Sequence, residues 1–244
     1  MQVALQTSET ITSIEHGQQL LPYLRSDAEL VVEGDEKLLH CIPSNMLHRF
    51  QHLKLLKVHD CGSLVEIFES GGVDENEDEG STKTAYNFDL QELHLYDLPK
   101  LMHIWKYHGG ILSFMNLKKL KIQHCPSLKS VLSPSMARSL SQLQELSVYE
   151  CELIEEIITR DEKLSEEPNR VKIIFPALQW LTLYRLPSLR CFCSSTYHFE
   201  LPSCHDITIT ECPKMEACHG NRGTSELPFV SMKKNDFRAE ERSK

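Results

Sequence analysis

Among the 244 residues, the groups best able to do chemistry are nine cysteines, twelve histidines and several clustered carboxylates. Cys191, Cys193 and His198, with Cys204 nearby, are the ligand types that zinc takes. That set lacks a second well-spaced pair, and Cys204 stands where an apolar core residue is expected. Asp74, Asn76 and Asp78 open like a calcium-binding loop, but the sixth position is Glu79 instead of glycine and the twelfth is Ala85 instead of glutamate. A solvated acidic loop accounts for them. No G-x-S-x-G elbow, H-E-x-x-H helix or G-x-x-x-x-G-K-[ST] loop occurs, and no histidine is spaced to activate a nucleophile. The sequence therefore predicts no catalysis, no metal and no cofactor.

Composition narrows the class further. The formal net charge of −9 opposes sequence-independent binding to nucleic acid, which needs surplus Lys and Arg facing phosphate. No apolar run approaches the roughly 20 residues that span a bilayer. Met1 to Thr12 has neither a basic start nor an apolar core, so no secretory signal is expected. The odd number of cysteines, mostly at one repeated place, suits buried reduced thiols rather than disulfides. The compartment expected is the cytosol or the nucleus, and the partner class is protein.

The elements that would position any site are repeats. FQHLKLLKVHDCGSLVEIF (50–68), FDLQELHLYDLPKLMHIW (88–105), FMNLKKLKIQHCPSLKSVL (114–132), LSQLQELSVYECELIEEII (140–158), FPALQWLTLYRLPSLRCF (175–192) and LPSCHDITITECPKMEAC (201–218) share LxxLxLxx[C/L]xxLxxI. Their first core positions are 53, 90, 117, 143, 178 and 204, which gives a basic unit of about 26 residues, inside the leucine-rich-repeat range. The fold predicted is an α/β-type solenoid. In it a horseshoe of short parallel strands lines the concave face, with irregular or 3-10 turns on the convex side. Alternation points Leu56, Val58 and their equivalents into a shared core that one coil could not build alone. Cys61, Cys125, Cys151 and Cys212 are expected to fill that core, with Leu98 and Leu186 in the same place elsewhere. Pro99, Pro126, Pro187 and Pro213 then help the chain leave the strand.

Strand residues that the core does not use form the candidate binding surface. Lys57 and His59, His94 and Tyr96, Lys121, Tyr149, and Trp180 with Tyr184 project there. His59, Tyr96, Tyr149 and Tyr184 are expected along one rim, with Trp180 beside it. Tyrosine and tryptophan are favoured anchors for a protein partner.

Outside the repeats, residues 1–19 read as an N-terminal extension. Residues 20–49 read as a degenerate first repeat, with Leu30 and Val32 on a candidate strand. The six repeats occupy 50–219, with charged insertions at 71–84 and 159–172. Residues 220–244 read as a disordered tail that leaves the last coil without an evident cap.

KLLKVHDCGSLVEIF, NLKKLKIQHCPSLKSVLSPSMARSLSQLQELSVYECELIEEII and FPALQWLTLYRLPSLRCF resemble the C-terminal leucine-rich-repeat region of plant coiled-coil, nucleotide-binding disease resistance proteins (NBS-LRR). The alternation of C-P-S-L with L-P-S-L and the link from Ser133 to Gln142 carry the resemblance, which runs from about Leu20 to His219. It implies a role in plant innate immunity: sensing a pathogen effector or guarded host protein, and holding a nucleotide-binding domain inactive in cis. The 244 residues contain no phosphate-binding loop, so ATP binding, switching and cell-death signalling are not carried over. The chain is expected to be a fragment, a truncated product or a repeat-only relative. The alternative is the substrate-binding repeat domain of an F-box-type ubiquitin-ligase adaptor. Against it, no F-box precedes residue 50 and the returns read P-S-L rather than I-T-D.

Overall fold

The structure, a computed structural model, describes residues 2–5, 9–11, 29–69, 85–105, 111–159, 171–193, 197–215 and 230–231. Each L-x-L segment forms a five-residue strand: Leu55–His59, Glu92–Tyr96, Lys119–Gln123, Glu145–Tyr149, Trp180–Tyr184 and Asp206–Thr210. Neighbours pair in parallel with corresponding residues aligned, so Leu56, Leu93, Leu120, Leu146, Leu181 and Ile207 form one row. The result is a parallel-strand solenoid. Glu29–Glu33 continues the stack beside Leu55–His59, and Leu30 and Val32 face inward as their pattern predicts.

The core follows from the alternation. Leu56, Val58, Leu93, Leu95, Leu120, Ile122, Leu146, Val148 and Leu183 are fully buried. Each such side chain contributes about 1.5–3 kcal/mol relative to exposure. Phe88, Phe114 and Phe175, which open their repeats, are buried behind the strands, and the Phe88 and Phe114 rings stack 4.9 Å apart.

Two backbone devices recur from coil to coil. The carbonyl at the entry of each strand accepts two N–H groups from the next coil: Lys118 O takes Gln144 N at 2.8 Å and Glu145 N at 3.0 Å, and Gln144 O takes Gln179 and Trp180 likewise. At the exit, Asp60, Asp97, His124, Glu150, Arg185 and Glu211 all have positive φ, between 51° and 56°. A left-handed non-glycine residue is disfavoured, by roughly 1–2 kcal/mol. It persists here because the turned residue still extends the ladder. The Glu150 N–H reaches Tyr184 O at 2.9 Å, and the Arg185 N–H reaches Thr210 O at 3.0 Å. Directly after this corner, the Cys61, Cys125, Cys151 and Cys212 thiols donate to the carbonyls of His59, Gln123, Tyr149 and Thr210 at 3.3–3.5 Å. Cys61, Cys125 and Cys151 are buried as expected of core thiols.

The return segments differ from the irregular or 3-10 turns expected. Ser130–Leu132, Glu156–Ile158 and Cys191–Cys193 form a second parallel sheet, and His40–Ile42 pairs with Glu66–Phe68. The xxLxxI segment is long enough for three extended residues, and stacking supplies each with neighbours. Ser44–Arg49 is a 3-10 helix. Pro134–Ser139, in the Ser133 to Gln142 link, is a short α-helix whose Met136 N–H is capped by the Ser133 hydroxyl at 3.2 Å.

Both ends of the long sheet carry strands that the repeat pattern does not predict. Gln2–Leu5 pairs antiparallel with Glu29–Glu33 and with Glu9–Ile11. Val230–Ser231, in the segment expected to be disordered, pairs in parallel with Ile207 and Thr208. The insertion 71–84, with its acidic loop, lies outside the described residues, as does most of 159–172. Among the described residues, no helix is long and apolar enough to cross a membrane.

Candidate functional site

The outward side of the long sheet carries three aligned rows. The first is Glu29, Leu55, Glu92, Lys119, Glu145, Trp180 and Asp206; the second is Val31, Lys57, His94, Lys121, Ser147, Thr182 and Thr208. The third is Glu33, His59, Tyr96, Gln123, Tyr149, Tyr184 and Thr210. Strand pairing on both sides holds these side chains at fixed spacing, with neighbours about 4.8 Å apart.

Two clusters emerge from the predicted residues. In the first, Lys57 Nζ lies 5.8 Å over the Tyr96 ring, and His94 meets Tyr96 edge-on at 6.0 Å. Lys119 pairs with Glu92 at 2.8 Å, and Lys121 pairs with Glu145 at 2.9 Å. The Glu145 hydrogen bond raises the Lys121 pKa. Burial opposes charge on Glu92, but Lys119, His94 and Lys121 together bring its pKa below the ordinary value. Burial also lowers the His94 pKa, and the three neighbouring lysines push the same way against Glu92. His94 Nε2 lies 3.2 Å from Glu92 without the angle of a hydrogen bond.

The second cluster is Tyr149 and Tyr184, whose rings lie 6.2 Å apart. The Arg185 guanidinium sits 5.2 Å over Tyr184, and the Tyr184 hydroxyl donates to Glu211 at 3.3 Å. Trp180 joins neither cluster. It stands in the first row, at the opposite end of the strand from Tyr184, about 13 Å along the backbone, so it is not beside the tyrosine rim. His59 closes the rim at the other end, with Nδ1 2.9 Å from Asp60 and Nε2 3.8 Å from Glu33.

Beyond the three rows, the left-handed corners form a fourth that sequence reasoning missed. His124 faces Asp97 at 2.9 Å and contacts Glu150 through its other nitrogen. Arg185 bridges Glu150 at 2.9 Å and Glu211 at 2.8 Å, and both carboxylates raise its pKa. The chain of contacts thus spans five coils. It borders a shallow groove of about 640 Å³, lined in part by Glu152, Pro187 and Pro213. The signal for it was the charged residue recurring at the repeat period just before each Cys or Leu.

As for metals, Glu33, His59 and Asp60 bring ligand atoms within 4.8 Å of one another, and both carboxylates are solvent-exposed. Cys191, Cys193 and Cys204 form no such group among the described residues, and the His198 side chain lies outside them. The Cys204 thiol sits in the core and donates to backbone carbonyls of Gln179 and Asp206 at 3.6 and 3.5 Å. Burial raises the pKa of Cys41 and Cys61. The Cys151 contact and burial do the same for Cys125, so these thiols stay protonated and serve packing.

The family model "Plant disease resistance protein RPS2-like, leucine-rich repeats" matches residues 2–152 and 140–220. An Arabidopsis thaliana protein named "Putative disease resistance protein At4g19050" is 31% identical over 160 residues, covering 66% of this chain. The match spans 11% of that protein's length. No solved structure matches the chain. With matched segments covering most of its length, and with the parallel stack that such repeats require, the chain belongs to the leucine-rich repeats of RPS2-like plant disease resistance proteins.

Proposed function

We propose that the outward face of the long sheet is a protein-recognition surface of plant innate immunity, the concave face of a horseshoe, working in the cytosol or nucleus. Its ligand is a pathogen effector or a guarded host protein. Where the repeats belong to a longer receptor, they also hold its nucleotide-binding domain inactive. The observation that carries this reading is the surface itself. Lys57, His59, His94, Tyr96, Lys121, Tyr149, Trp180 and Tyr184 stand on strands paired on both sides. Aromatic side chains on a paired sheet lose little freedom on binding, which suits anchors of a protein interface, and the basic residues beside them add charge for steering. Family membership supports the immune setting. The six repeats at 50–219 and the degenerate repeat at 20–49 are the scaffold for this face.

The test compares partners captured from infected and uninfected leaf extracts by the full chain and by variants. A face variant carries Tyr96→Ala, Tyr149→Ala, Trp180→Ala and Tyr184→Ala, and a return-side control carries Met102→Ala and Leu153→Ala. The proposal expects a partner retained by wild type and control, and lost from the face variant at unchanged thermal unfolding. Equal retention by all three would refute it.

A further inference from the structure

One ring on the outward face is left uncovered. Lys57 stands over Tyr96 and Arg185 over Tyr184, so two tyrosines already carry a cation from the chain itself. Trp180 is 48% exposed, and among the described residues neither a cation nor another ring stands over it. Indole is the best cation–π acceptor among the aromatic side chains. A Trp so exposed on a strand paired on both sides is a rigid platform, costing little order on binding.

Its flanks define the charge it would accept. Glu145 is aligned with Trp180 on one side and Asp206 on the other, each one strand spacing away. Glu145 is already engaged by Lys121 at 2.9 Å. Asp206 is exposed, and among the described residues its carboxylate accepts one hydrogen bond, from the Thr208 hydroxyl at 3.3 Å, which orients it. The remaining outward residues of these three strands are Ser147, Tyr149, Thr182, Tyr184, Thr208 and Thr210, none of them cationic. The cation brought beside this site is Lys121, held on Glu145 at 2.9 Å, which leaves Asp206 as the carboxylate that meets a positive ligand.

We propose that Trp180, bracketed by Glu145 and Asp206, is the docking point for an arginine of the protein partner. The guanidinium stacks on the indole and pairs with the Asp206 carboxylate. Arginine suits the site better than lysine: its planar, weakly hydrated group stacks on a ring while presenting its N–H fork to a carboxylate. The inference rests on reading this face as a recognition surface and narrows it to one chemistry.

The chain reports on the site directly, because it has two tryptophans. Trp105 is half-buried, stacked 5.6 Å from Phe68, and donates to Val131 O at 2.7 Å. The part of solute quenching that is lost in Trp180→Phe therefore reads Trp180. Relative to free N-acetyltryptophanamide, caesium quenching should be favoured over iodide quenching, and Asp206→Asn should narrow that preference.

Calorimetric titration at low salt with the blocked peptide Gly-Arg-Gly-Arg-Gly and its lysine and citrulline counterparts then tests the ligand. The expected order is arginine tightest, lysine weaker and citrulline not bound. Trp180→Ala and Asp206→Asn should each weaken the arginine peptide roughly 2- to 30-fold with unfolding unchanged. Citrulline binding as well as arginine, or indifference to both substitutions, would overturn the proposal. If natural-partner capture depends on Tyr96 and Tyr149 but not on Trp180 or Asp206, the recognition surface stands and the arginine site falls.

Discussion

The outward face divides into two halves that share one core and differ in charge. On Leu55–His59, Glu92–Tyr96 and Lys119–Gln123 the outward charges are Lys57, Lys119, Lys121 and Glu92; Lys121 pairs across the boundary with Glu145, and the flanking Glu29–Glu33 adds Glu29 and Glu33. On Glu145–Tyr149, Trp180–Tyr184 and Asp206–Thr210, Glu145 and Asp206 have no outward cation on their own strands, and the aromatics are Tyr149, Trp180 and Tyr184. Behind both halves the inward residues are nearly the same: Leu93 with Leu95, Leu183 with Leu181, all buried. The division teaches that the repeat constrains only every second strand position. The positions between are free to carry recognition.

The largest effect lies in the shared core: Leu120→Ala and Leu183→Ala, one in each half, should each cost about 2–5 kcal/mol in urea unfolding. Both should give one transition; separate transitions would mean that the halves fold as independent units. Next comes partner binding. Tyr184→Ala in the acidic half should cost more than about 1 kcal/mol. Lys57→Ala in the basic half should cost less and act mainly on the salt dependence of association.

Smaller still is Arg185→Gly. It removes two exposed ion pairs and the cation over Tyr184 while relieving a positive φ; these effects oppose one another, so the calorimetric unfolding temperature should stay close to that of wild type. A clear drop would show the corner contacts to be structural. The smallest effect is pH-dependent and confined to the basic half. Burial, with Lys121, Lys119 and Lys57, lowers the His94 pKa against the opposing pull of Glu92. Below its ordinary value the unfolded chain binds that proton more readily, so stability should fall as pH drops from 7 towards 5. His94→Gln should flatten this part of the profile in thermal unfolding followed across that range.

What was legible in the sequence follows from what the repeat dictates. Leu56, Leu93, Leu120 and Leu183 recur at fixed spacing because burial requires them, so strand positions, inward rows and outward rows follow from the spacing alone. The outward rows supplied Tyr149 and Tyr184 as neighbours, and the four-residue spacing of Trp180 from Tyr184 already puts it at the far end of the strand, about 13 Å away. The left-handed corners were missed because Asp60, His124, Arg185 and Glu211 share no conformational preference. Their geometry follows the backbone, and the Asp60, His124 and Arg185 N–H groups each keep a bond to the next coil. The pairing of Val230 with Ile207 was missed because a two-residue strand has no pattern of its own; the edge of the stack creates it.

The most direct test of a recognition surface is photo-crosslinking to the natural partner. A photoreactive phenylalanine analogue would be placed singly at outward positions Gln123 and Thr182 and at return-side positions Met102 and Leu153. Crosslinks are expected from the outward pair alone. Crosslinks from the return side, with none from Gln123 or Thr182, would contradict a recognition role for the outward face.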